Sequence, residues 1–116
     1  MKGMFLECYK LKEIKGINNF ITIKATNMRR MFKDCNELEI LDLSNFNTNK
    51  VTNMEKMFNK CYKLKEIKGI YNFFISNLTN LYKIFDECND FEYINISKIN
   101  PLYSEFISKI LNRKKN

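Results

Sequence analysis

The chain has no histidine, a single proline and only three glycines in 116 residues. It also has no apolar run near the roughly 18 residues that cross a bilayer. Without imidazole, His-based acid–base catalysis, Cys–His nucleophiles and most zinc sites are excluded. Gly3, Gly16 and Gly69 stand too far apart for a glycine-rich phosphate loop. The acidic residues form no isolated pair in an apolar surround, so the chain reads as a non-enzyme without cofactor or metal. The N-terminus, Met-Lys-Gly-Met-Phe-Leu-Glu-Cys, lacks the long apolar core of a secretory signal. As written the chain is expected to be cytoplasmic, or a truncated piece that starts inside a repeat.

What is present is periodic. Cys8, Cys35, Cys61 and Cys88 are 27, 26 and 27 residues apart, and no cysteine lies outside that column. All six methionines fill two further columns, Met1, Met28, Met54 and Met4, Met31, Met57, with Leu81 and Ile84 replacing them in the fourth copy. Phe5, Phe32, Phe58 and Phe85 make another column. Residues 8–20 and 61–73 are identical except that Asn18 becomes Tyr71, giving a double period of 53. Odd copies carry Gly16 or Gly69, one residue more than the second copy, and this extra residue predicts a bulge or tight bend.

Within each copy the spacing i, i+3, i+4, i+7, as in Met54, Met57, Phe58 and Cys61, predicts one apolar face of a short helix. Thr26, Thr52 and Thr79 precede these stretches as candidate caps, and Thr52 with Glu55 matches a capping box. After each cysteine the apolar positions change period, and 38–44, with Leu41 and Leu43 inward, predicts the most regular of four short strands. A period of 20 to 50 residues implies stacking, because one small unit cannot bury its own apolar face. Asn100-Pro101 then opens a last amphipathic helix through Leu111. The expected fold is therefore α/β: a solenoid of four helix–strand repeats of 26–27 residues, with short parallel strands and a C-terminal helical cap. One domain spans 1–111, followed by a basic tail at 112–116.

The run Cys35-x-x-Leu38-x-x-Leu41-Asp42-Leu43-Ser44-Asn45-Phe46-Asn47-Thr48, continuing through Val51-Thr52-Asn53-Met54 to Met57-Phe58 and Cys61, resembles the leucine-rich repeat of the BspA-like surface proteins. That resemblance covers residues 1 to 99. It implies a curved leucine-rich repeat solenoid that binds proteins or other surface ligands, at the cell surface or secreted, and it brings no catalytic residues. The sequence departs from the pattern in its few copies, and in odd copies that read Ile-Lys-Gly-Ile in place of Leu-Asp-Leu-Ser.

The cysteines are too widely spaced for a metal site and read as a ladder of small buried thiols, with bridges between neighbouring copies left open by geometry. Asn77-Leu78-Thr79 and Asn95-Ile96-Ser97 match the glycosylation pattern, as chance does in so Asn-rich a chain. Of the net charge of +7, four units come from Lys109, Arg113, Lys114 and Lys115, leaving +3 on residues 1–108. Binding of nucleic acid or anionic membrane through that tail is the alternative to the main reading. The main reading is a non-catalytic module, monomeric unless its N-terminal end stacks, that recognises a protein or surface ligand. Alternation sends Ile40 and Asp42 to the open face of the sheet, and the repeat carries this to Glu13, Lys15, Glu66, Lys68, Tyr93 and Asn95. Two columns follow, Glu13, Ile40, Glu66, Tyr93 and Lys15, Asp42, Lys68, Asn95. Ile40 and Tyr93 would be anchors rimmed by charge; otherwise the columns only pair charges between strands.

Overall fold

Met28, Met31, Phe32 and Cys35 are fully buried, yet no helix carries them. The computed structural model describes residues 1–90, and among these there is no α-helix. In place of each helix predicted within residues 1–90 stand two consecutive four-residue turns. In the second copy Met31 N–H donates to Met28 O at 3.2 Å and Cys35 N–H to Phe32 O at 3.2 Å. The third residue of each turn has positive φ, Arg30 at 56° and Asp34 at 64°, which with the closing bond is the type II signature. The same pair of turns recurs at 1–8, 54–61 and 81–88.

Alternate N–H groups between these closing bonds leave the copy altogether. Those of Met28, Arg30, Phe32 and Asp34 donate to the carbonyls of Asn53, Glu55, Met57 and Asn59 at 2.8–2.9 Å. Those of Met54, Lys56, Phe58 and Lys60 reach Asn80, Tyr82, Ile84 and Asp86 in the same way. The copies are thus rungs of a hydrogen-bonded stack. Backbone groups that a short isolated helix would satisfy within itself are satisfied here by the next rung.

Asparagine, not threonine, opens the pairs of turns at 28–35, 54–61 and 81–88. Asn27, Asn53 and Asn80 form single parallel bridges from rung to rung. Their side-chain Oδ1 atoms accept from the N–H two residues on, at Arg29, Glu55 and Tyr82, at 2.9–3.0 Å. The predicted capping box is accordingly not formed: Thr52 passes its backbone bonds between Thr26 and Asn80, and the Glu55 carboxylate pairs with Arg29 at 3.0 Å.

Extended structure is also less than predicted. The strands β1 (Ile40–Asp42) and β2 (Glu66–Lys68) form a two-stranded parallel sheet, with Ile40 opposite Glu66, Leu41 opposite Ile67 and Asp42 opposite Lys68. The first copy forms no strand, although Lys12 O still accepts from Glu39 N–H at 3.2 Å. The predicted leucine-rich repeat solenoid of four helix–strand units is therefore overturned. Its fourth strand, its cap helix and the basic tail lie outside the described residues.

Gly16 at φ 78° and Gly69 at φ 85° each turn the chain into a 3₁₀ helix, Ile17–Asn19 and Ile70–Asn72. This is the tight bend expected of the extra residue in odd copies. A side chain is excluded at Gly69, where a Cβ would lie 2.4 Å from Ser44 Cα.

The core runs along the stack. Phe5, Phe32, Phe58 and Phe85 pile with centroids 5.5–5.7 Å apart and planes within 5° of parallel. Beside them the thiols of Cys35, Cys61 and Cys88 donate to the carbonyls of Phe5, Phe32 and Phe58, one rung back, at 2.9–3.1 Å. Cys8, Cys35 and Cys61 carry free thiols. A residue in this column must be small, apolar and able to donate, which is what a thiol offers.

Candidate functional site

The open face of the sheet is built by alternation: Leu41 and Ile67 turn inward and are buried, so their neighbours turn out. Ile40 is 48% exposed, a large apolar side chain held outward on β1. Glu66 lies opposite it on β2, and Asp42 lies opposite Lys68. Glu66 and Lys68 are exposed, and Asp42 is half-buried. The structure thus brings four of the predicted residues together.

Glu13 and Lys15 sit one rung away and are exposed, 3.9 Å from each other in a loose ion pair. So exposed a pair contributes almost nothing to stability. Tyr93 and Asn95 lie outside the described residues.

Asp42 is held by a residue that the pattern of columns passes over. Its Oδ1 accepts from Ser44 N–H at 3.0 Å and from the Ser44 hydroxyl at 2.6 Å. These bonds lower its pKa, with the charge of Lys68 a lesser cause. The signal was local rather than columnar: Asp-x-Ser is the spacing of an Asx turn.

Charge pairing between rungs takes place beside the face instead of across it. Lys63 meets Glu37 at 2.9 Å and Lys65 meets Glu39 at 3.3 Å, each one repeat apart. The Lys63 pKa is raised, first by its hydrogen bond with Glu37 and then by that charge. Residues 65–71 line a groove of about 440 Å³ next to Glu66 and Lys68.

Among the described residues no three His, Cys, Asp or Glu side chains gather to hold a metal ion. Among them, too, no helix is long and apolar enough to cross a membrane.

Stacked rungs of paired turns, with a short parallel sheet showing charge and one isoleucine on its open side, define a repeat protein. The chain belongs to the family described as "Mycoplasma protein of unknown function, DUF285", whose model matches residues 1–113. Comparisons with curated proteins and with solved structures find no match.

Proposed function

We propose that this protein is a non-catalytic binding module and that the open face of its sheet meets a protein or surface ligand. The observation that carries this reading is Ile40, an apolar side chain 48% exposed on a hydrogen-bonded strand. A strand fixes the side chain's direction, and exposed apolar anchors ringed by polar groups concentrate binding energy. Asp42, Glu66 and Lys68 form that ring, and the Ser44 bonds hold the Asp42 carboxylate ready before any partner arrives. The resemblance of the repeats to those of BspA-like surface proteins supports the same role.

The test is capture of a protein partner from a lysate of the source organism. Ile40→Ser should abolish capture and leave the thermal midpoint within a few degrees of the parent, since surface changes cost about 0.5 kcal/mol or less. Capture that persists in the variant defeats this face as the site.

A further inference from the structure

The third position of the first turn in each rung is occupied by Gly3 at φ 63°, Arg30 at 56°, Lys56 at 55° and Lys83 at 53°. Nearly equal φ values and the rung-to-rung bonds from Arg30 to Glu55 and from Lys56 to Tyr82 place these residues in one column. Three cations therefore stand on successive rungs, at a spacing that the stacked rings of Phe32, Phe58 and Phe85 put at 5.7 and 5.5 Å.

Two costs meet at these positions. Positive φ favours glycine, which Gly3 shows the rung accepts. Like charges on neighbouring rungs also repel. The matching position of the second turn is a control within the same molecule. Glu7, Asp34, Lys60 and Glu87 share the same backbone, with φ between 60° and 64°, but their charges are mixed. The geometry alone does not call for cations.

Nor do neighbouring acids neutralise the column. Glu55 is engaged by Arg29 and Asp34 by Lys33, and none of Arg30, Lys56 or Lys83 forms an ion pair among the described residues. Arg30 Nε is a buried polar atom without a hydrogen-bond partner. Beyond it, Lys83 lies 5.3 Å from the ring centre of Tyr82, which is 54% exposed.

We infer that the column Arg30, Lys56 and Lys83 is a binding site for a linear chain of phosphate groups, separate from the face that carries Ile40. Arginine and lysine at regular steps suit a ligand that repeats a compact anion along its length, because guanidinium and ammonium groups both bind phosphate oxygens. Tyr82 adds a ring on which a base can stack, as in single-strand binders.

Titrate the full chain with a single-stranded oligonucleotide, with inorganic polyphosphate and with polyglutamate, at several salt concentrations. Compare it with Arg30→Gly/Lys56→Gly/Lys83→Gly, and with Ile40→Ser. The parent should bind at least one of the two phosphate chains more tightly than polyglutamate. Preference for the oligonucleotide identifies nucleic acid as the source of the phosphates, and preference for polyphosphate identifies the free polymer. In the triple variant binding should weaken, and the slope of log K against log salt should fall by about 2, near 0.7 for each of three contacts. Glycine suits the backbone, so the thermal midpoint of the triple variant should not drop, and Ile40→Ser should bind as the parent does. Three results would overturn the inference: no phosphate chain bound by the parent, equal affinity for polyglutamate, or an unchanged salt slope in the triple variant.

Discussion

Each buried cysteine holds its rung to the one before it through a single S–H···O bond to a phenylalanine carbonyl. Burial also sets the chemistry of these thiols. It pushes Cys35 up to about 12, with the neighbouring Cys8 thiol a smaller cause. It raises Cys61 as well, with Cys88 and Cys35 adding to the effect. The thiolate is the reactive form, so these groups are slow nucleophiles for as long as the stack is closed. Cys8, on the first rung, is only half-buried. Native protein near neutral pH should therefore show one fast thiol towards a disulfide reagent, and Cys35, Cys61 and Cys88 should react only after denaturant is added. Rapid native labelling of Cys61 would mean that the rungs part far more readily than this packing allows.

At the scale of the element, the sequence told truthfully which side chains go inward and misled on the backbone that takes them there. In a helix, residues i, i+3, i+4 and i+7 share a face. In two consecutive four-residue turns they are the four corner positions, as Met54, Met57, Phe58 and Cys61 are. The two readings separate only at the third position of each turn. There Lys56 and Lys60 have positive φ, and neither residue type announces it. The site was legible for a related reason. Alternation puts Ile40, Asp42, Glu66 and Lys68 on the side of the strands away from Leu41 and Ile67, because period two survives even in three-residue strands. The grip of Ser44 on Asp42 was missed because it is local and repeats in no column. The glycines offer a sharper test of the element. Gly69→Ala forces a Cβ against the Ser44 backbone at positive φ and should cost about 3 kcal/mol or more. Gly16→Ala meets nothing nearer than Asn19 Nδ2 at 3.9 Å and should cost only the left-handed strain, about 1–2 kcal/mol. Equal losses in urea unfolding would show that β2 and its turn do not pack on the second rung as closely as this structure has them.

Over the whole molecule, the positions that follow each cysteine alternate in charge between odd and even rungs, and the double period is the phase of that alternation. After the cysteine, odd rungs present Lys10 and Lys12 or Lys63 and Lys65, and even rungs present Glu37 and Glu39 and then Asp90. The stack realises this as Lys63 on Glu37 and Lys65 on Glu39, with Asp90 helping to hold Lys63 protonated from the other side. A slip by one rung would set like charges together, so the phase selects one register among rungs whose apolar columns are nearly interchangeable. Each inner rung answers to a neighbour on both sides, and this is testable. Lys63→Glu with Lys65→Glu should lower the thermal midpoint at low salt, and most of the loss should vanish near 1 M salt, where the screening length is about 3 Å. Adding Glu37→Lys and Glu39→Lys restores opposite charges between the second and third rungs but brings new lysines against Lys10 and Lys12. Recovery should therefore be partial, and it should improve further, but stay short of the parent, when Lys10→Glu and Lys12→Glu extend the inversion to the first rung, because Asp90 still meets the new charge at position 63. Full recovery from the four substitutions alone would show that each charge answers only to one partner and that the alternation sets no register.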